Sequence, residues 1–388
     1  PTNATPLRRA VITIQWSGRL GNLLFELAML AGMVKRLKAT VANVEAVTFG
    51  LPALKGVPVK ELFEQFSLGE LVRQADDEKG SFDGAYAAEL KACSACKIRV
   101  EERYANAYDA KLVNRLTEWV TSPPHGCTLG LIELKGYFQS FLYFDKPASR
   151  LLRATLSAQA AAAPAQREAE AVLGRIRRSM PTIANGIGYK LIGVQVRLGD
   201  KAREGFFQSV YAPISWEYYR TAMRELSRKF MGAGASGVAF VVTAGGSMGN
   251  NSADIADARQ NLARRGRIFF SSSESPYVDL AVLRRCDALV IGPSTFGWWA
   301  AYLANLPDGY VFAPRQLFNP KLPRSHTLVK GYKVADYYPP GWRLLGNDGI
   351  TSRLGTKPLP KKPLPKRPLP VLGASELSPI ELLERGRG

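Results

Sequence analysis

From Lys190 to Ala313 the chain repeats one grammar: a short apolar run, a turn, then apolar residues at helical spacing. Residues 191–197, 237–243, 267–270, 287–291 and 310–313 are brief and dominated by β-branched, aliphatic and aromatic side chains, which predicts buried strands. Residues 214–230, 253–264, 276–285 and 295–303 between them carry helical periodicity. Ser215 is placed to cap the first of these helices. Pro276 opens the third, with Asp279 in its first turn. Repeated strand–helix units close a parallel sheet with helices on both faces.

The same grammar opens the chain. Residues 9–16 read as a strand, 17–22 (SGRLGN) as a loop with two glycines, and 23–37 as a helix with Lys35, Arg36 and Lys38 at its carboxyl end, where the helix dipole favours cations. Residues 41–49 follow as a second strand. Helical and loop patterns continue to about Ser122, Pro123-Pro124 breaks the chain, and 131–144 reads as a strand entering an aromatic-rich loop. With 388 residues there is room for two domains and extras. The expected division is an α/β domain over 1–183 and a Rossmann-like domain over 184–345, with the boundary near Pro181 to Gly188. A tail over 346–388 contains KPLPKKPLPKRPLP, which can form neither helix interior nor ladder and is read as polyproline-like or disordered.

The formal net charge is +19 and the pI about 9.8, which points to anionic partners such as phosphorylated metabolites, glycan surfaces or nucleic acid. No zinc-finger spacing, ribonucleoprotein signature or basic region with heptads accompanies it, so nucleic acid is not the expected partner. Cysteine is sparse. Cys93 and Cys96 form one CxxC, with Cys127 and Cys286 elsewhere and only two histidines, so a local disulfide or plain thiols is expected rather than structural zinc. His125 and His326 are isolated and read as structural; Asp76 and Asp77 lie in a charged, solvated run. No apolar run is long enough to span a membrane. The chain opens on Pro1 and carries sequons at Asn3 and Asn250, which fits a secretory-compartment domain whose anchor precedes this sequence.

Ligands of open α/β sheets bind at the carboxyl ends of the strands. Three loops there attract attention: 197–204, 243–251 and 292–298. Arg197 ends a strand and precedes Gly199-Asp200, which presents a guanidinium to an anion. Ser294 and Thr295 precede a helix, whose first N–H groups suit a phosphate. In the first half, GRLGN lets backbone approach a ligand, with Arg19 and Asn22 as polar contacts; it is neither a GxGxxG nor a P-loop.

Five stretches now line up: QWSGRLGNLLFELA, LKGYFQSFLYF, IGVQVRLGD, FVVTAGG and DLAVLRRCDALVIGPSTFGWWAAYLA. Together, and in this order over most of residues 9–315, they resemble glycosyltransferase family 11, the α-1,2-fucosyltransferases that move fucose from GDP-fucose to galactose. The resemblance implies a GT-B-like fold of two Rossmann-like domains, an inverting reaction without metal or cofactor, GDP-fucose held mainly by the second domain, and a galactose-terminated glycan as acceptor. The family motif usually reads HxRRxD. Here it is Gln195-Val196-Arg197-Leu198-Gly199-Asp200, so Arg197 takes the diphosphate position while Gln195 and Leu198 stand where the family has His and a second Arg. By the same resemblance Ser294, Thr295 and Phe296 meet the phosphates, Asp279 the guanine, and Arg19 and Asn22 the sugar diphosphate. Gln195 and Thr243 join the nucleotide-side set. Lys201 is a second cation for the leaving group; Asp200 and then Glu204 are the candidate bases. Animal members are Golgi type II membrane proteins and bacterial ones cytoplasmic; a lumenal Golgi domain is the expected location, with the cytoplasm as the alternative for a bacterial chain. The alternatives are a fucosyltransferase of another linkage and a glycan- or polyanion-binding homologue without turnover.

Overall fold

The computed structural model describes residues 7–49, 53–54, 57–75, 82–103, 106–124, 126–158, 164–181, 188–197, 209–244, 251–262, 267–271, 273, 275–323 and 329–350. The tail, both histidines, Asp76 and Asp77, the sequon residues Asn3 and Asn250, and the 182–187 stretch where the domain boundary was expected all lie outside these residues.

The first half begins β1 (Arg9–Gln15), α1 (Leu20–Leu37) and β2 (Asn43–Thr48). A short antiparallel pair follows, β3 (Ala53–Leu54) and β4 (Val57–Pro58), then α2 (Val59–Gln65), β5 (Arg73–Gln74), α3 (Phe82–Ala85) and α4 (Ala87–Ala92). It ends with β6 (Lys97–Glu101), α5 (Ala110–Thr121), β7 (Leu129–Lys135), α6 (Asp145–Ala158) and α7 (Pro164–Arg178). The second half runs β8 (Lys190–Val196), α8 (Trp216–Gly232), β9 (Val238–Ala244), α9 (Asn251–Leu262), β10 (Arg267–Phe270) and α10 (Pro276–Leu283). It closes with β11 (Ala288–Ile291), α11 (Thr295–Ala304), β12 (Val311–Pro314), α12 (Val334–Tyr337) and β13 (Arg343–Leu345).

Two sheets result, ordered β5-β2-β1-β7-β6 and β10-β9-β8-β11-β12-β13, and every pairing within them is parallel. The expected parallel α/β architecture is what forms, because the central strands are apolar on both faces and each face must be covered. In the second sheet Leu191, Val241, Leu289 and Val311 face α10 and α11, while Ile192, Val194, Val242 and Val290 face α8 and α9. In the first, Ile12 and Ile132 face α1 and α5, while Val11 and Leu131 meet Phe82 and Tyr86.

Five strands escaped the sequence, the two-residue pair β3 and β4 among them. β6 reads Lys-Ile-Arg-Val-Glu, with only Val100 buried, because it is an edge strand and its outer face is wet. β5 and β13 are two- and three-residue edges, too short for any period to register. The CxxC does not close on itself. Cys96 is bonded to Cys127, and Cys93 and Cys286 are thiols, because the turn before β7 brings Cys127 beside the start of β6. Among the described residues no helix is long and apolar enough to cross a membrane.

The two halves share one core. α1 from the first half packs on α6 and on α11 from the second, and α7, from before the expected boundary, packs on α10. Its centre is aromatic: the Phe25 ring lies 4.6 Å from Trp298 and 5.2 Å from Trp299, and Trp298 stacks on Tyr302 at 5.0 Å. The Trp298 indole N–H donates to the Tyr337 carbonyl at 2.8 Å, so even its polar atom is satisfied in a dry interior. Trp298→Ala would empty this seam, and the expected loss is about 3–5 kcal/mol, read as a shift in the urea midpoint; a loss under about 1 kcal/mol would show the seam to be slack.

Candidate functional site

Each sheet reverses its winding at one point. In the second, β8, β9 and β10 grow one way and β11, β12 and β13 the other, so the crevice opens between β8 and β11. In the first, β2 and β5 lie on one side of β1 and β7 and β6 on the other, so it opens between β1 and β7. Such switch points are where open α/β sheets take ligands. The loops leaving them are 197 and 292–294 in one sheet, 16–19 and 136–140 in the other.

These two crevices touch. Asn22, in the first turn of α1, accepts through Oδ1 from the Gln139 amide at 3.1 Å and from the Thr295 hydroxyl at 3.0 Å. One side chain thus joins the β1 loop, the β7 loop and the start of α11. Gly21 makes this possible. A Cβ built there would stand 2.5 Å from Thr295 Oγ1 and 2.6 Å from the Phe296 nitrogen. The expected 17–22 loop is therefore shorter than its sequence suggested: Leu20, Gly21 and Asn22 already belong to α1, with Arg19 as an extended N-cap residue. Gly18 turns at φ +86°, and its missing Cβ leaves room for the Asn22 amide.

Both helix starts favour an anion. Neither α1 nor α11 has an acidic residue in its first turn. At α11 the Ser294 hydroxyl accepts from the Phe296 N–H at 3.2 Å, so Ser294 is a cap. At α1 no side chain caps the helix, and a cation, Arg19, occupies the N-cap position against the dipole. Arg197 follows Val196 at the end of β8; its main-chain N–H donates to the buried Tyr219 hydroxyl at 3.4 Å. A Cβ on Gly292 would lie 3.1 Å from Arg197 Cβ, so the β11 loop runs directly against this arginine.

The other predicted residues fall around this centre. Gln195 is 3% exposed. Its side-chain oxygen accepts from the Gly292 N–H at 3.2 Å and its amide donates to the Val196 carbonyl at 3.3 Å, so it braces the β8–β11 crevice from behind. Thr243 is its partner across β8–β9 and is also buried. Asp279 lies at the far side of the sheet, in the first turn of α10, and accepts the Ser271 hydroxyl at 2.6 Å. Protein packed around the carboxyl pushes its pKa up to about 7, although the residue as a whole keeps some exposure. Thr295 and Phe296 are half-buried on the crevice. Asp200, Lys201, Glu204 and Leu198 lie outside the described residues.

Two carboxyls that sequence reasoning passed over sit under the first crevice. Glu26 is fully buried in α1 and accepts the Ser17 N–H through both oxygens at 3.1 Å. Burial raises its pKa well above the usual range. Glu102 follows β6 and accepts the N–H groups of Tyr137 and Phe138 at 2.8 and 2.9 Å, holding Phe138 at φ +50°. Burial pushes Glu102 up to about 8. Both acids are therefore held toward their neutral forms at pH 7, and the crevice keeps its positive field. Glu26 lies four residues beyond GRLGN and could have been noticed as an acid in an apolar helical run; Glu102 had no local signal.

Residues 167–342 match the model of Glycosyl transferase family 11, a stretch that contains β8 to β12. Galactoside alpha-(1,2)-fucosyltransferase 1 from Plecturocebus brunneus is 29% identical over 180 residues, 40% of this chain and 43% of that protein. Its counterpart from Saimiri boliviensis boliviensis is 29% identical over 178 residues, 40% of this chain and 42% of that one. The chain thus spans under half the length of these curated relatives. Among solved structures, a mutant of Arabidopsis thaliana FUT1 in complex with GDP overlays with a TM-score of 0.40 at 12% identity, covering 79% of this chain and 71% of that one. POFUT1 in complex with GDP overlays at 0.39 and 12%, covering 78% and 96%.

Gly21→Ala tests the contact between the two helix starts. Alanine gains about 1 kcal/mol over glycine in a helix, but here its methyl meets backbone atoms that cannot swing aside. Overpacking of this kind costs about 1–3 kcal/mol. Net destabilisation is expected in thermal unfolding; a variant more stable than the parent would mean that the helices part freely.

Proposed function

We propose that this chain, whose residues 167–342 form a glycosyl transferase family 11 domain, moves L-fucose from GDP-fucose to the 2-hydroxyl of a galactose in a glycan, with inversion and without a metal ion. The observation that carries the reading is the meeting of two helix N-termini, neither with a first-turn acid, where the switch points of both sheets join. That is the electrostatic shape of a diphosphate site, and a sugar nucleotide bound there spans both halves of the fold.

In this reading the diphosphate rests on the start of α11 at Thr295 and Phe296, with Arg197 on the β8 side and Arg19 on the α1 side. Ser294 is engaged as a cap and Gln195 as a brace, so they shape the phosphate loop. Asn22 positions Thr295. Thr243 lines the floor, and Asp279 takes the guanine at the outer end of the sheet. Fucosyl transfer needs little covalent help. The bond from C1 to the diphosphate oxygen stretches, charge gathers on the leaving GDP, and an oxocarbenium-like centre forms. Cations and aligned N–H dipoles stabilise that charge, with Lys201 as a further cation. The acceptor hydroxyl attacks from the opposite face and yields its proton to Asp200, or in second place to Glu204. The basic surface of the protein suits an anionic donor, and the domain is read as lumenal in the Golgi.

The decisive experiment is transfer of labelled fucose from GDP-fucose to a panel of β-galactosides, with linkage analysis of the product. Arg197→Ala is expected to lower kcat/KM at least about 100-fold, ~2.7 kcal/mol of transition-state stabilisation, while the urea midpoint is retained. Near-parental turnover in the folded variant would remove Arg197 from the diphosphate. Saturable GDP binding without transfer to any galactoside would replace the enzyme by a binding homologue.

A pH dependence follows from Asp279. Its pKa is raised to about 7, so below that pH the carboxyl is protonated and cannot accept two N–H groups from guanine. GDP affinity is expected to weaken as pH falls through about 7, by up to about tenfold per unit, in calorimetric titrations at pH 6, 7 and 8. Asp279→Asn should bind weakly and without this slope; an unchanged slope in the variant would place the guanine elsewhere.

A further inference from the structure

Remote from the sugar-nucleotide crevice, three sulfurs meet. Cys96 and Cys127 are joined, their Cα atoms 5.5 Å apart across 31 residues of sequence. The Cys93 sulfur stands 3.9 Å from the Cys127 sulfur, and all three sulfurs lie within 4.8 Å of one another. Of the three, Cys93 is the one outside the disulfide. Local backbone sets the arrangement. Cys93 ends α4, with its N–H on the Glu89 carbonyl at 2.9 Å. A single 3-10 turn, Ser94–Cys96, then returns the Cys96 N–H to the Cys93 carbonyl at 3.2 Å, so both sulfurs of the CxxC approach Cys127. The burial is asymmetric: Cys96 and Cys127 are each 7% exposed, whereas Cys93 is open to solvent in part.

We propose that Cys93, Cys96 and Cys127 form a thiol–disulfide exchange site, in which Cys127 passes between two partners. A thiolate, not a thiol, is the nucleophile in such exchange. Cys93 gives its proton to solvent, and its sulfur, which stands beside the Cys96–Cys127 bond, swings onto the bond axis and attacks Cys127. The Cys93–Cys127 bond forms, the Cys96–Cys127 bond breaks, and the electron pair leaves on the Cys96 sulfur, which takes a proton back from solvent. One thiol and one disulfide stand on each side, so no oxidant is consumed. Neither isomer releases Cys127 from the CxxC segment, and the covalent tie across residues 96–127 survives in a shifted form.

The shift is consequential because of where Cys96 lies. It directly precedes β6, an edge strand that among the described residues pairs with β7 alone. The residue after β6 is Glu102, which holds the Tyr137 and Phe138 amides, and Gln139 beyond them donates to Asn22. Moving the tie from Cys96 to Cys93 transfers the anchor from the strand to the end of α4. The exchange site is thereby coupled, through one strand, to the loop that joins the two sheets.

The test uses the full chain purified without reductant, reacted with N-ethylmaleimide at pH 8, digested without reduction and sequenced by fragmentation between Cys93 and Cys96. The expected result is two populations, one labelled at Cys93 with Cys96–Cys127 linked and one labelled at Cys96 with Cys93–Cys127 linked, within about tenfold of each other. Label confined to Cys93 at every pH from 6 to 9 would overturn the proposal and leave an ordinary disulfide beside an idle thiol. Cys96→Ser supplies a second measurement: with glutathione disulfide as oxidant it should form Cys93–Cys127. A variant with the parental circular dichroism spectrum in which Cys127 stays a thiol would overturn it as well.

Discussion

Asn22 Oδ1 is the point on which the architecture turns. It accepts two hydrogen bonds, one from each side of the molecule: Gln139 from the loop after β7, and Thr295 from the start of α11. Backbone does the rest, since Gly21 lets α1 approach the first residues of α11 more closely than any side chain would permit. Two helix N-termini brought together repel, because their dipoles point the same charge at one place. What holds them is the apolar seam one turn deeper, where Phe25 meets Trp298 and Trp299. The core supplies the force and the crevice receives the field.

This division explains the chemistry of the buried acids. A carboxylate near the crevice would cancel the positive potential there. Glu26 is fully buried and Glu102 partly so, both are tied to backbone N–H groups, and both are shifted toward the neutral acid by loss of water, with Glu102 adding to the shift of Glu26. They organise the loops at 17–19 and 136–138 as hydrogen-bond acceptors without adding full charges. Phe138, at φ +50° and fully buried, shows how tightly one of these loops is held; a non-glycine residue there costs about 1–3 kcal/mol, which the surrounding contacts must offset.

The reading of the second half from sequence was close, and the reason is physical. Strands buried on both faces are continuous apolar runs, and helices between them must show one apolar stripe, so the pattern survives in the residues. Ser215 was legible as a cap because capping is a matter of one hydroxyl and the next turn. Edge strands fared worse. β6 has a charged outer face, and its existence depends on β7 being beside it. The cysteine pairing was invisible for the same reason: Cys93 and Cys96 are neighbours in sequence, but Cys127 is the neighbour that a folded sheet provides.

What the sequence determined by itself was the parallel α/β class, the Ser215 cap, and Arg197, Ser294 and Thr295 as residues at strand and helix ends, since local periodicity and turn chemistry are properties of adjacent residues. What only the tertiary structure decided was how those ends combine. Asn22 became a clasp and Gln195 a brace, Glu102 and Glu26 became shielded acids under the crevice, and Cys127 came to lie against both sulfurs of the CxxC. Apart from the Glu26 bond to Ser17, these rest on contacts between residues far apart in the chain, and such contacts exist only after the sheets have closed on one core.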